Sequence, residues 1–187
     1  MSEPLDEVLT LAERVYVRMQ AEQLIRQCLD RGDPKPFNAL LENLVLAGVS
    51  SLGVLREIQE ELLSAKTHLG REGMSVRQDL VQALSEFGVK LPQLLSAEAP
   101  DAFRAICSQG LRQDARRAAP QRLEAEDERL LQEICTEAGT RVSGIARRLS
   151  LLNRMERIVT DWEEGLLFEA FQERESPVVP KRPATLH

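Results

Sequence analysis

Aromatic residues are scarce in this 187-residue chain, with one Trp, one Tyr and five Phe making up 4% of it. Sandwiches and barrels draw on aromatic and β-branched residues for their faces, so this shortage, beside plentiful Leu and Ala, directs the reading to helix-on-helix packing. No segment alternates Val, Ile, Thr or aromatic residues with polar ones, and no Asn-Gly or Asp-Gly hairpin turn occurs. Long apolar runs are missing too. The most apolar stretch, Leu40 to Leu55, is interrupted by Glu42 and Asn43, and it falls short of the ~18 residues a membrane span needs, so no membrane is expected. The opening residues Met1 to Glu7 lack the basic and then apolar regions of a signal peptide, and a cytoplasmic chain is expected.

Histidine occurs only at His68 and His187, and cysteine only at Cys28, Cys107 and Cys135. The cysteines are odd in number, far apart and contain no Cys-x-x-Cys pair, so they read as reduced, mostly buried thiols. No His-Glu-x-x-His, Gly-x-Ser-x-Gly, Walker or Gly-x-Gly-x-x-Gly pattern is present. Adjacent acids such as Glu60/Glu61 point in different directions on a helix and read as solubilising residues. No catalytic, cofactor or metal site is therefore assigned, and the expectation is a protein without enzymatic activity. The formal net charge of −6 gives the whole chain no attraction for DNA or acidic membranes. Arg outnumbers Lys 20 to 4.

What the chain has in abundance is helical pattern. A first helix is expected over about Leu5 to Arg31, with Val8, Leu11, Ala12, Val15, Met19, Ile25 and Cys28/Leu29 inward. Gly32 stops it, and Asp33-Pro34-Lys35-Pro36 turns into a second helix reaching Ala47. Ser50 or Ser51 can cap a third helix ending near His68. Gly70 to Gly73 reads as a loop, and Ser75 to Gln78 fits a capping box for a fourth helix ending at Gly88. A short turn through Leu94 and Leu95 follows, then a fifth helix from Asp101 towards Ala118.

No proline lies between Pro120 and Pro177. As one helix, that stretch would be roughly 80 Å long at 1.5 Å per residue. Leu123, Leu130, Ile134, Ala138, Val142, Ile145, Leu149, Leu152, Val159 and Leu166 share one face, with a stutter around Gly139. Either the helix is continuous or Gly139-Thr140 breaks it into a hairpin. Charge runs in blocks. Residues 101–122 hold five Arg and two acids, 123–140 six acids and one Arg, 141–160 five Arg and one acid, and 161–175 six acids and one Arg. An antiparallel pairing centred near residue 140 would set Glu124, Glu128 and Glu133 against Arg147, Arg148 and Arg154, either within the chain or between copies.

The expectation is an all-α protein: a helical bundle over 1–118, a long C-terminal helix or antiparallel helical hairpin over 119–175, and a Pro-rich tail over 176–187 expected to be disordered. The tail holds Pro177-Val-Val-Pro180-Lys181-Arg182, which formally fits a ligand for an SH3-type groove. The function expected is a non-enzymatic protein–protein interaction or scaffold protein. It would self-associate into a homo-oligomer, with antiparallel contact preferred, through Ile145, Leu149, Leu152, Val159, Trp162, Leu166, Phe168 and Phe171. The alternative is a nucleic-acid-binding regulator using Arg112, Arg116 and Arg117, extended by Arg147 and Arg148.

Overall fold

A computed structural model of the chain describes residues 9–46, 51–118 and 123–175, except the side chains of 44–46, 51 and 169–175. The expected start at Leu5, the inward Val8, the Phe171 side chain and the tail 176–187 lie outside the described residues. The fold is all-α, and among the described residues there is no strand. The described residues form, in order, α1 (Leu11–Arg31), α2 (Lys35–Leu46), α3 (Ser51–Glu86), α4 (Pro100–Arg117) and α5 (Ala125–Glu175), with a 3-10 turn at Pro92–Ser96 before α4. Contacts group the chain into two compact units, Met1–Glu61 with Arg154–His187, and Leu62–Asn153. The divisions fall inside α3 and α5 rather than near residue 118.

In the first unit, α1 begins with a capping box at Thr10 and Glu13. The Thr10 hydroxyl accepts from the Glu13 N–H at 3.3 Å, and the Glu13 carboxylate accepts from the Thr10 N–H at 2.8 Å. Two orphan donors are satisfied reciprocally, and the helix starts six residues later than expected. It ends at Gly32, whose φ of 69° is left-handed and places its N–H on the Cys28 carbonyl. Asp33 then accepts from the Lys35 N–H at 3.0 Å, turning the chain into α2. Phe37, Leu41, Leu55 and Ile58 are almost wholly buried, and α5 contributes Met155 and Val159 to the same unit's core.

The face that α1 turns inward is not the expected one. Val17, Ala21, Ile25 and Cys28 are buried, whereas Leu11, Val15 and Met19 are exposed. Apolar residues occupy more than one face of this helix, and periodicity alone does not choose between them. The choice follows from Glu57 of α3, which is buried and receives Arg14 and Arg18 from the edge of α1 between the two faces.

In the second unit the expected loop at Gly70 to Gly73 does not form, and α3 runs unbroken to Glu86. Each glycine costs a helix about 1 kcal/mol relative to Ala, a deficit that tertiary packing can outweigh. The packing is that of Leu62, Leu69, Val76 and Leu80, all buried on the face that passes through both glycines, and Gly73 itself is buried, with Ile145 of α5 at an ordinary 3.6 Å from the position of a Cβ. Ser75 is exposed within the helix and caps nothing. The real stop is Gly88, φ 76°, where Val89 N–H reaches the Leu84 carbonyl at 2.9 Å.

Pro100 opens α4, with Asp101 in its first turn and Arg116 and Arg117 in its last, the arrangement that complements the helix dipole. α5 is one helix of 51 residues, so the hairpin alternative is set aside. Gly139 lies inside it, buried among Cys135, Ala138 and Val142. Hydroxyls around the glycine turn back on the helix: Thr136 donates to the Gln132 carbonyl, Thr140 to Thr136 and Ser143 to Gly139. α4 packs antiparallel to this part of α5. Arg104 donates to the Ser143 hydroxyl near one end of the seam, and Leu111 shares a crevice with Leu131 further along.

Candidate interaction surfaces

The apolar stripe of α5 is largely spent on the chain's own cores. Ile145 and Leu152 are buried in the second unit, and Val159 is fully buried in the first. Leu149 and Leu166 are half-buried. Trp162 is half-buried as well, and its indole N–H donates to Asn38 of α2 at 3.5 Å, while Gln59 donates to Glu163 at 2.8 Å. These residues hold α5 in place within the chain. Among the described residues after Val159, Leu167 and Phe168 are the large apolar side chains left exposed, at 50% and 62%.

The arginines of the two clusters are all exposed: Arg112, Arg116 and Arg117 on α4, and Arg147 and Arg148 on α5. They do not merge into one patch. Arg112 stands at the level of Glu128 and Gln132, and Arg147 lies at least 15 residues further along α5, more than about 20 Å at 1.5 Å per residue. Arg112 also borders a crevice of about 280 Å³ that Glu128 shares, so acid accompanies base there. The basic block of α4 thus runs along the acidic block of α5, an antiparallel charge match made inside the chain. The N-terminal half of α5 carries its acids where the dipole favours them, with Glu126, Asp127 and Glu128 in its first turn.

The larger exposed apolar surface is on α1. Leu11 is 77% exposed, Val15 50%, Tyr16 64% and Met19 62%. Leu11, Val15 and Met19 recur every four residues, and Ala12 and Tyr16 flank them, so the five form one stripe over more than two turns. Scattered single exposures need no explanation, but a contiguous stripe of this kind marks a contact surface. Further along the helix the same face closes with a charged pair, Arg26 to Glu22 at 2.8 Å.

The edge of that stripe is anchored. Burial alone would raise the Glu57 carboxyl, but hydrogen bonds from Arg18 and Arg14, with their charges, outweigh it and hold the group below the usual carboxylate range. A depressed folded value means the stability is complete above the unfolded pKa of about 4.3 and is lost as pH falls through the folded one. Glu57→Gln should therefore melt below the native protein at neutral pH, with the gap closing only once pH falls below about 4. Thermal melts of both proteins between pH 7 and pH 3 read this directly.

All three cysteines are free and buried. Cys28 sits in the first unit, while Cys107 on α4 and Cys135 on α5 both belong to the second. Among the described residues no group of three or more His, Cys, Asp or Glu side chains is placed to hold a metal, and no helix is long and apolar enough to cross a membrane. Comparison with known proteins yields no relative: no family model, no curated protein and no solved structure matches the chain.

Proposed function

We propose that the chain is a non-enzymatic interaction protein that self-associates, with α1 as the contact helix. The observation that carries this reading is the exposed stripe of Leu11, Val15, Tyr16 and Met19. Of the residues expected to supply a C-terminal seam, Ile145, Leu152 and Val159 are buried in the chain's own cores, and Phe168 is exposed.

A second copy of the chain is the occupant that suits the stripe. From the exposed fractions of its side chains it offers on the order of 500 Å², at the upper range of patches on ordinary monomers. A symmetric pair buries the patch twice, about 1,000 Å² in total, the lower bound for a specific interface. A twofold axis at Val15 makes the helices antiparallel and sets Leu11 of one copy against Met19 of the other. Arg14 and Arg18 are already engaged by Glu57 at the stripe's edge, so no uncompensated charge enters the contact.

Light scattering and sedimentation on the full chain test this. The native protein should weigh as a dimer at micromolar concentration, and Val15→Glu should weigh as a monomer with unchanged helix content, since Val15 is not a core residue. A native monomer at those concentrations, or a Val15→Glu variant that keeps the dimer mass, overturns the proposal.

A further inference from the structure

The second unit contains a pair of thiols that sequence spacing hides. On the α4–α5 seam the Gly139 backbone faces Arg104, whose Cγ would lie 3.5 Å from a Cβ built there. One step along the seam, three residues on in α4 and four back in α5, arrives at Cys107 and Cys135. The next step arrives at Leu111 and Leu131, which line the same crevice. The two cysteines are thus at one level between two matched levels, and both are buried, 3% and 5% exposed.

We infer that Cys107 and Cys135 form a dithiol that a peroxide converts reversibly to a disulfide tying α4 to α5. The neighbouring Cys135 and burial raise the Cys107 thiol and keep it protonated, while the neighbouring Cys107 lowers Cys135, so Cys135 is the preferred thiolate. A crevice of about 280 Å³ opens beside the pair, bordered by Ser108, next to Cys107, and Leu131, one turn from Cys135. Hydrogen peroxide is small and neutral enough to enter it.

The chemistry closes without another reactant. The Cys135 thiolate attacks one peroxide oxygen, the O–O bond breaks and the departing hydroxide takes up a proton to become water. Cys135 is now a sulfenic acid. The Cys107 sulfur attacks it, the S–S bond forms, and the displaced hydroxide leaves as a second water with the Cys107 proton. Two sulfurs together lose two electrons, and one peroxide gains them. A dithiol reductant reverses the step by thiol–disulfide exchange.

The test is peptide mapping of the native, full-length chain after brief treatment with hydrogen peroxide and blocking of remaining thiols. Trypsin should release peptide 105–112 linked to peptide 130–141, a species absent from the untreated protein and removed by dithiothreitol. Cys28 lies in the other unit and should stay alkylatable on denaturation, and Cys28→Ser should give the same linked pair. The oxidised protein should also melt several degrees higher, because the link closes a loop of the unfolded chain. Sulfinic acid at Cys107 or Cys135 without linkage, linkage through Cys28, or linkage only after denaturation would each overturn the inference.

Discussion

Leu152→Ala is expected to lower the stability of the chain by about 2–5 kcal/mol and to leave its oligomeric mass unchanged. Leu152 is fully buried on α5, in the company of Leu151 and Met155, which are 6% and 0% exposed. Truncation removes its transfer free energy and leaves a cavity that the surrounding helices fill only in part, and both terms act on the folded monomer. A seam between copies would respond differently, because the loss would appear as dissociation and would depend on protein concentration. Urea unfolding at two concentrations, beside light scattering, separates the cases. A stable variant that falls from dimer to monomer would restore Leu152 to the association surface.

The second large effect is expected at Phe103 of α4. Its ring is fully buried and carries the Arg77 guanidinium 5.7 Å from its centroid. Arg77 in turn donates to the Gly73 carbonyl and to the Ala97 carbonyl, both at 2.9 Å, while its Nε is buried with no partner among the described residues. One aromatic ring therefore supports a cation that binds α3 to the turn before α4. Phe103→Ala should cost about 3–5 kcal/mol for the ring itself, and loss of the cation–π face adds to it. Phe103→Leu should recover most of the packing but not the contact with Arg77. Chemical unfolding of the two variants gives the comparison, and a cost below about 1 kcal/mol for Phe103→Ala would mean that α4 is held in some other way.

Local signals carried much of the architecture. Gly32, Gly88, Pro100 and the proline-free stretch after Pro120 mark helix ends that the structure keeps within a few residues. The failures have a common cause. Gly70 and Gly73 carry the same letters as a helix stop, yet α3 passes through both, because the buried face on either side of them, Leu62, Leu69, Val76 and Leu80, holds the helix together. The apolar residues of α1 cover two faces, and the inward one is selected by Glu57, more than 25 residues beyond the helix, meeting Arg14 and Arg18. The stripe of α5 was visible, but whether it met another chain or its own was not. Cys107 and Cys135 looked unrelated because their relation is one of height on two antiparallel helices, which no linear spacing records. The charge blocks pointed to the acids of 123–140 meeting Arg147, Arg148 and Arg154; within one continuous α5 those blocks cannot fold onto each other, and Arg112 of α4 stands beside Glu128 instead.

The division of the chain gives translation a part in its folding. The second unit, Leu62–Asn153, is continuous and can gather its elements as they emerge. The first is not, since Met155 and Val159 are synthesised more than 90 residues after Glu61. At 5–20 residues per second, the ribosome leaves Phe37, Leu41, Leu55 and Ile58 waiting for on the order of 5–20 s before the helix that completes their core exists. For that interval the nascent chain presents greasy surface to the cell, and a chaperone or a neighbouring nascent copy can meet it first. Slowing elongation between residues 62 and 154 would lengthen the exposure, so codon choice there bears on the yield of folded protein.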